Sequence, residues 1–325
     1  MQPTSVTLGV DIGGTNTKFG YVDAKGNCVA LASMPTDSHE PPELFFQRLK
    51  EQSSLLMQSL DEGADLVGIG IGAPNANFHK GTIEHPPNLE WEYVEVRSEL
   101  SKLFDVPSAV TNDAKAAAIG EMLFGAAQGM RDFILITLGT GLGSGIVSNG
   151  QLVYGADGFA GEIGHTIVDA NGRVCGGGRR GCLEAYCSAT GTCRTAMELM
   201  SDTMAPSALR SISPASLTAE MISEAAHKGD QLALRAFERT GRTLGAKLSD
   251  SVAHLSPEAI IIAGGLAAAW DLFIDPLQSS FEEHLFPIYR NKIKILRSKL
   301  IEGNPAVLGA SALIWHVLEG KSNHP

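Results

Sequence analysis

Residues 6–23 read VTLGVDIGGTNTKFGYVD, and this stretch decides how the fold is built. The apolar run at residues 6–10 predicts a strand, the glycine-rich residues 11–18 predict a turn, and residues 19–23 resume an extended pattern. A strand, a turn and a second strand form a β-hairpin, whereas the glycine-rich turn of a dinucleotide-binding fold leads into a helix. The sequence therefore predicts a hairpin closed by a glycine-rich turn.

The same pattern recurs further along the chain. Residues 133–137 form an apolar strand, residues 138–143 read LGTGLG, and an extended pattern follows to residue 147. An internal repeat of this kind indicates two similar halves, and 325 residues suit two domains of ordinary size. We therefore predict an α/β protein with two domains that face each other across a ligand cleft.

The remaining patterns are those of an α/β protein. Apolar periodicity, turn residues and helix-capping signals indicate where each helix and strand begins and ends. The predicted segments are a helix at 44–60, strands at 66–72 and 108–111, a helix at 112–124 closed by Gly125, a mainly helical region at 185–255, a strand at 259–266 that enters a Gly-Gly turn, and a helix after 303–309 that runs through Leu318.

Composition narrows the class of protein. Lysine and arginine number 25 against 36 aspartate and glutamate residues, which gives a net charge of −11 that would repel nucleic acids and anionic membranes. The sequence shows neither a signal-peptide pattern nor an apolar run long enough to span a membrane. We expect a cytoplasmic protein that acts on small molecules. The odd count of 5 cysteines argues against a disulfide framework and favours buried, reactive or metal-bound thiols.

The two glycine-rich turns have the chemistry of phosphate contacts. Glycine lets backbone N–H groups approach phosphate oxygens, and an acidic side chain can hold a hydrated magnesium ion that bridges them. The first turn alone could equally be an ordinary hairpin turn with a solvated lysine; two such turns together favour a nucleotide. The predicted contacts are Asp11 (also to magnesium through water), Gly13, Gly14, Thr15 and Lys18 in the first turn, and Thr137, Gly139, Thr140 and Gly141 in the second.

A third glycine pair and an acidic residue complete the predicted cleft. Gly264 and Gly265 follow a buried strand and could let an adenine ring lie against the backbone, although a plain strand-to-helix turn explains them equally well. Asn112 and Asp113 stand between a strand and a helix, where a helix cap is the ordinary explanation. Because this position faces the predicted cleft, Asp113 could instead accept a proton from a substrate hydroxyl, its charge stabilised by the helix N-terminus.

Residues 161–184 gather one imidazole, two thiols and two carboxylates among glycines. Glu162, His165 and Glu184 could bind the hydroxyl groups of a sugar, although solvated carboxylates and a histidine bonded to backbone are common. His165, Cys175 and Cys182 could also bind zinc. A structural zinc needs four ligands, and this segment offers three.

These motifs jointly resemble those of ROK-family sugar kinases, which belong to the actin-like ATPase and hexokinase superfamily, and the family's bacterial glucokinases above all. The matching stretches run nearly from end to end of the chain. They are DIGGT from Asp11, ND from Asn112, LGTGLG from residue 138, GEIGH at 161–165, GCLE at 181–184, AGG at 263–265 and the segment 303–309.

The resemblance implies two RNase H-like (actin-like ATPase) domains with ATP and sugar in the cleft. Residues 1–111 and about 305–325 would form a small discontinuous α/β domain, and residues 112–304 a large one with the sugar-binding and zinc-knuckle-like segment. Asp113 would be the general base. The implied sugar contacts are Gly72, Asn88, Asn112, Asp113, Glu162, His165 and Glu184.

The implied reaction is the ATP-dependent phosphorylation of a hexose, foremost glucose, at its 6-hydroxyl group, in a homodimer or homotetramer. Fructose, mannose, allose and N-acetylated amino sugars remain alternatives. The family's repressor branch is disfavoured because it needs a helix-turn-helix before the first phosphate turn, and this chain reaches Asp11 almost at once. A non-catalytic sugar-binding protein is disfavoured by Asp11 and Asp113, both of which are present.

The chain departs from the family pattern at the zinc knuckle. Family members read Cys-x-Cys-Gly-x-x-Gly-Cys, with the counterpart of His165 as fourth ligand, and here Gly177 stands at the second cysteine. Cys187 could substitute, but a helix that begins near residue 181 would turn it away from Cys182. A three-ligand zinc with water, a remodelled four-ligand zinc site and a loop without zinc all remain open.

Overall fold

Two five-stranded sheets organise the molecule. The structure, a computed structural model, describes residues 4–60, 63–300 and 304–322. Of residues 321 and 322 it describes only the backbone. The strands in these residues are β1 (Thr4–Ile12), β2 (Asn16–Asp23), β3 (Cys28–Pro35), β4 (Ala64–Gly72), β5 (Ala76–Asn77), β6 (Thr82–Glu84), β7 (Tyr93–Val94), β8 (Ser108–Thr111), β9 (Phe133–Leu138), β10 (Leu142–Ser148), β11 (Gln151–Leu152), β12 (Ala259–Ala263) and β13 (Lys294–Arg297).

Helices pack around both sheets, and several 3₁₀ turns connect them. The helices of the described residues are α1 (Pro42–Gln58), α2 (Val96–Leu103), α3 (Asp113–Phe124), α4 (Glu184–Cys187), α5 (Ala189–Asp202), α6 (Ala219–His227), α7 (Gln231–Leu255), α8 (Trp270–His284) and α9 (Pro305–Ser322). In the described part of the chain, no helix has the length and apolar character needed to cross a bilayer.

The two large sheets share one topology. The first sheet has the order β3-β2-β1-β4-β8 and the second β11-β10-β9-β12-β13. In each, the hairpin strands pair antiparallel and the later strands pair parallel. The register sets Asp11 opposite Lys18 and Leu138 opposite Leu142, so each glycine-rich turn closes a hairpin. The predicted α/β class and the internal repeat are therefore confirmed.

Helices α3 and α9 lie between the sheets. α9 packs on β1 and β4, and α3 packs on β10 and on α9. Glycines make the approach possible, since a Cβ atom at Gly120 of α3 would stand 3.0 Å from the Cα atom of Gly309 in α9. Across the same seam, the Thr7 and Ser311 hydroxyl groups hydrogen bond at 2.6 Å. The last helix, α9, thus covers one face of the first sheet.

Each sheet also covers a core on its other face. Phe45 and Phe46 of α1 are fully buried under the first sheet, and Phe237 of α7 and Phe273 of α8 under the second. The proposed domain limits after residues 111 and 304 stay a prediction. Residues 1–3, 301–303 and 323–325, which include Gly303 of the matched motif and both chain ends, lie outside the described residues.

Candidate active site

The first glycine-rich turn joins β1 to β2 and is held by hydrogen bonds from Thr36. The Gly13 N–H donates to the Asn16 carbonyl at 3.2 Å. The Thr36 hydroxyl donates to the Gly13 carbonyl at 2.7 Å, and the Thr36 N–H donates to the Thr15 carbonyl at 2.9 Å. Gly14 packs on the backbone of Asn88. Thr36 thus bonds the carbonyls of Gly13 and Thr15, while Gly14 and Thr15 remain exposed.

Asp11 lies at the end of β1 beside this turn, directly opposite Lys18. Burial raises the pKa of Asp11 to about 6, the nearby Asp113 carboxylate adds to the rise, and Lys18 opposes it. The structure therefore brings together the acidic residue of the first turn and the predicted base.

Asp113 begins α3 and is exposed to solvent. The Ala114 N–H donates both to the Asn112 Oδ1 atom at 2.9 Å and to the Asp113 Oδ1 atom at 2.7 Å. Asn112 is thus the N-cap of α3, as the ordinary explanation had it. Desolvation by the surrounding protein raises the pKa of Asp113, while hydrogen bonds from the backbone N–H groups of Ala114 and Asp113 lower it. These N–H groups at the helix N-terminus favour the ionised carboxylate, and desolvation opposes them. Gly72, at the end of β4, lies next to the Asp113 backbone.

The second glycine-rich turn joins β9 to β10 and rests on the start of α5. The Gly139 N–H donates to the Gly141 carbonyl at 3.0 Å, and the Ala189 N–H donates to the Gly139 carbonyl at 2.8 Å. The Thr190 hydroxyl donates to the Thr140 carbonyl at 2.9 Å. Both turns are therefore held by partners behind them.

Thr137 and Glu184 sit on either side of this turn. A Cβ atom at Gly143 would stand 2.7 Å from the Thr137 hydroxyl oxygen. The Oε2 atom of Glu184 accepts a hydrogen bond from the Leu142 N–H at 3.0 Å and leaves no room for a Cβ atom at Gly141. Glu184, predicted as a sugar contact, therefore touches the predicted phosphate turn.

A cavity of about 590 Å³ opens beside the second turn, and three of the residues predicted to contact the nucleotide line it. Gly264 is required at its edge, since its φ is 91° and a Cβ atom there would stand 2.5 Å from the Leu138 carbonyl oxygen. The lining residues are Gly139, Thr140, Ala189, Ala219, Glu220, Ser223, Gly265, Leu266, Ala268 and Ala269.

Sequence reasoning missed the α6 side of this cavity. Glu220 and Ser223 of α6 line it, although their positions in an ordinary amphipathic helix gave no sign of a site. Only long-range packing brings α6 against the second turn.

The predicted sugar-binding residues His165 and Glu184 both influence the third, Glu162. Loss of solvation raises the pKa of Glu162, while Lys115 and His165 lower it and Asp113 and Glu184 raise it further. Each of these four groups therefore lies near enough to Glu162 to interact with it electrostatically. Asn88 instead lies against Gly14 of the first turn.

The zinc-knuckle segment brings three ligands together. The ligand atoms of His165, Cys175 and Cys182 all lie within 4.8 Å of one another, and the His165 Nδ1 atom stands 3.9 Å from the Cys175 Sγ atom. Burial and the neighbouring Cys175 raise the pKa of Cys182 to about 11. A Cβ atom at Gly177 would stand 3.8 Å from the Cys175 Sγ atom. The residue that replaces the usual cysteine therefore faces the cluster.

Cys187, the suggested substitute, is not part of this cluster. Its thiol is buried in the core and donates to the Thr240 carbonyl at 3.5 Å. The reason is local geometry, because α4 spans Glu184–Cys187 and turns the thiol away from Cys182.

An arginine braces the same segment. The Arg173 guanidinium donates to the carbonyl oxygens of Ala185 at 2.9 Å and Gly191 at 3.1 Å, and to the Glu198 carboxylate at 2.8 Å. Its ring partner is Tyr186, with the guanidinium carbon 4.5 Å from the ring centroid. Sequence reasoning did not single out Arg173, which ties the knuckle to α4 and α5.

Comparison with known proteins places this geometry in a family. The ROK family model matches residues 7–317. A glucokinase from Halalkalibacterium halodurans is 35% identical over 284 residues, which cover 86% of this chain and 86% of that protein. A ROK family glucokinase from Streptomyces griseus, solved in complex with glucose and AMPPNP, superposes with a TM-score of 0.77 at 34% identity, covering 95% of this chain and 98% of that one.

The relatives also include transcriptional regulators. A xylose repressor from Bacillus spizizenii is 27% identical over 316 residues, which cover 96% of this chain and 78% of the repressor. The two like sheets, the two glycine-rich turns and the matches over nearly the whole sequence agree with one another. The chain belongs to the ROK family.

Proposed function

We propose that this protein catalyses the ATP-dependent phosphorylation of a hexose at its 6-hydroxyl group, with glucose as the preferred acceptor. One observation carries the proposal: the Asp113 carboxylate lies near enough to interact electrostatically both with Asp11 of the first turn and with Glu162 of the hydroxyl-binding group. A base between a phosphate-binding turn and a sugar-binding wall suits phosphoryl transfer to a hydroxyl group.

The proposed roles follow from this arrangement. The two glycine-rich turns bind the ATP phosphates, and the cavity beside Gly265 takes the nucleoside. Glu162 and His165 orient the sugar. Asp113 accepts the proton of the attacking hydroxyl group, and the raised pKa of its carboxylate makes it a stronger base at neutral pH.

The residues present fit a magnesium ion near Asp11. The half-buried Asp11 carboxylate and the exposed Asp113 carboxylate repel each other and both have raised pKa values, and a cation would relieve both. Asp11 would hold magnesium through water, and the ion would neutralise phosphate charge.

The residues also fit a three-ligand zinc site. His165, Cys175 and Cys182 would hold the ion, which would stiffen the wall that carries His165. Arg173 already ties this segment to α4 and α5 without a metal, so a loop without zinc remains an alternative.

Glucose is proposed as the acceptor because the relatives at 34% and 35% identity are glucokinases, one of them solved with glucose and AMPPNP. Fructose, mannose, allose and N-acetylated amino sugars are the alternatives, since the same hydroxyl-binding groups could serve them. Preference among hexoses depends on placements at the scale of one hydrogen bond.

Sugar-dependent gene regulation is the second candidate, because a repressor shares 27% identity over most of this chain. The paired Asp11 and Asp113 favour the kinase, since transcriptional control does not require a base beside a phosphate turn. We also propose the domain limits given above, with α9 completing the small domain, and assembly as a homodimer or homotetramer.

A coupled kinase assay across a hexose panel tests the function. We expect turnover to depend on ATP and Mg²⁺, with kcat/KM highest for glucose. Analytical ultracentrifugation of the same protein reports its assembly, and metal analysis its zinc content. Absence of ATP-dependent turnover with every hexose would refute the kinase proposal and favour the regulator.

A further inference from the structure

Lys115 is a fully buried lysine two residues after Asp113. Its residue is 1% exposed, and its Nζ atom donates a hydrogen bond to the Gly158 carbonyl oxygen at 3.0 Å. Lysine is almost never fully buried unless its charge is paired, because removing an ammonium group from water is costly. The proposed mechanism gives this residue no role.

The charges around Lys115 come from one loop. Burial lowers the pKa of Lys115, while the carboxylates of Glu162 and Asp157 raise it. Glu162 is influenced in return by Lys115, His165, Asp113 and Glu184. The ammonium group is therefore a counter-charge to the loop that leads into the predicted sugar-binding wall.

Residues 155–162, here named the cleft loop, are held from the opposite side by residues near β5. The Asn77 side-chain amide donates to the Asp157 carbonyl at 2.7 Å, and the His79 Nε2 atom stands 3.1 Å from the Gly155 carbonyl oxygen. Gly158 adopts a φ of 89° and lies against the Asn77 side chain. The cleft loop is thus held by Asn77 and His79 on one side and by Lys115 of α3 on the other.

We propose that Lys115 is a positioning residue, whose ammonium group holds the cleft loop against the first turn of α3 and so sets the Glu162 carboxylate relative to Asp113. The inference rests on the proposed function, in which Glu162 binds sugar and Asp113 is the base. A lysine that merely filled the core would act on the stability of the fold, whereas this one acts on hexose binding through Glu162.

A double-mutant cycle distinguishes these two roles. Lys115→Met keeps the length of the side chain but removes its charge and its hydrogen bond, and Glu162→Gln removes the carboxylate it faces. We expect Lys115→Met to raise the KM for hexose about tenfold in the wild-type background and less than about twofold in the Glu162→Gln background. The KM for ATP should stay within about twofold of wild type.

Asn77→Asp provides a second test of the cleft loop's position and leaves the buried lysine unchanged. The substituted side chain can still accept the hydrogen bonds that Asn77 Oδ1 takes from the His79 and Lys80 N–H groups. It loses the amide that donates to Asp157 and sets an oxygen against that carbonyl. We expect the same selective rise in the KM for hexose, which carries the test if Lys115→Met does not fold.

The outcomes separate the inference from the proposed function. Equal rises in the KM for hexose and for ATP, or the same rise in both backgrounds, would overturn the positioning role of Lys115. If Lys115→Met is unfolded, an unchanged hexose KM in Asn77→Asp would overturn it. A wild-type protein that phosphorylates no hexose would instead refute the proposed function, and the inference with it.

Discussion

The Leu142 backbone N–H donates a hydrogen bond to the Glu184 Oε2 atom at 3.0 Å. This bond joins the second glycine-rich turn to Glu184, which lies just after the zinc-knuckle segment. Glu184 therefore belongs to both halves of the proposed site, and substitutions there should affect both substrates.

We expect Glu184→Ala to raise the KM for hexose and for ATP by about tenfold each, because the Leu142 N–H loses its acceptor and an unpaired buried donor costs about 1–3 kcal/mol. Glu184→Gln is the matched control, since its amide oxygen can still accept from Leu142. It should keep the KM for ATP within about twofold while the KM for hexose rises. Steady-state kinetics with each substrate varied would decide, and an effect of Glu184→Ala on hexose alone would contradict the link.

Asp113→Asn should remove phosphoryl transfer and leave the fold intact. We expect kcat to fall about a thousandfold, within the range for loss of a general base. The amide has the shape of the carboxylate and its oxygen can still accept from the Ala114 N–H, so the free energy of unfolding at neutral pH should not fall. Binding of ATP and hexose, measured by calorimetry, should persist. Near-normal turnover would show that Asp113 is not the base.

Asp11 should make stability fall as pH rises. Its pKa is raised from 3.8 to about 6 in the folded protein, so between these values the folded state binds more protons than the unfolded state. The stabilisation is complete below pH 3.8 and is lost as pH rises through 6, at a cost of about 3 kcal/mol for the shift.

Asp11→Asn removes this pH dependence. We expect it to be more stable than wild type at pH 7.5, by up to about 3 kcal/mol, and to lose the advantage near pH 3.5. Urea unfolding across this pH range without Mg²⁺ provides the measurement. Asp65→Asn, at an exposed position in β4, is the control and should change little. A stability gain for Asp11→Asn that does not vary with pH would contradict the assignment.

Gly177→Cys should complete a four-ligand zinc site. A Cβ atom at this position would stand 3.7 Å from the His165 Cε1 atom and 3.8 Å from the Cys175 Sγ atom, so a thiolate there can reach a shared metal. We expect zinc to bind about tenfold more tightly or better than in wild type, as measured by competition with a chelator. Gly177→Ser, which adds a similar side chain without a thiolate, should show no such gain. Equal zinc affinity in Gly177→Cys and wild type would show that residue 177 does not reach the metal.

Gly264 and Gly265 should respond differently to alanine. Gly264 has a φ of 91° and faces the Leu138 backbone, whereas a Cβ atom at Gly265 would meet, apart from its chain neighbours, no atom of the described residues within 4 Å. We expect Gly264→Ala to lower the free energy of unfolding by about 2–4 kcal/mol through strain and overlap. Gly265→Ala should stay within about 1 kcal/mol of wild type. Chemical denaturation of both variants checks the contrast, and equal losses would contradict it.

Much of the scaffold could be predicted because its signals are local. The glycine-rich turns between apolar runs predicted both hairpins, and Asn112 and Gly125 bracketed α3 correctly. The sheet of β5, β6 and β7 gave no signal, since strands of two or three residues show no periodicity.

The parts of the site that sequence reasoning missed depend on distant contacts. Thr36 supports the first turn from 23 residues away, and Glu220 reaches the cavity beside the second turn only through the packing of α6. For Asp113, the helix N-terminus could be recognised in the sequence, but the distant groups that desolvate its carboxylate and raise its pKa could not.

The hydrogen bond between Thr7 and Ser311 joins residues 304 positions apart. During synthesis, the first sheet emerges long before the helix that covers it. The face that α9 later occupies must therefore stay open to water, or to a chaperone, until nearly the whole chain has been made. The helices that cover the second sheet precede α9 in the chain, so the second sheet can fold while this face of the first sheet is still uncovered. The order of folding should thus run against the order of synthesis, with the first strands among the last to be fully packed.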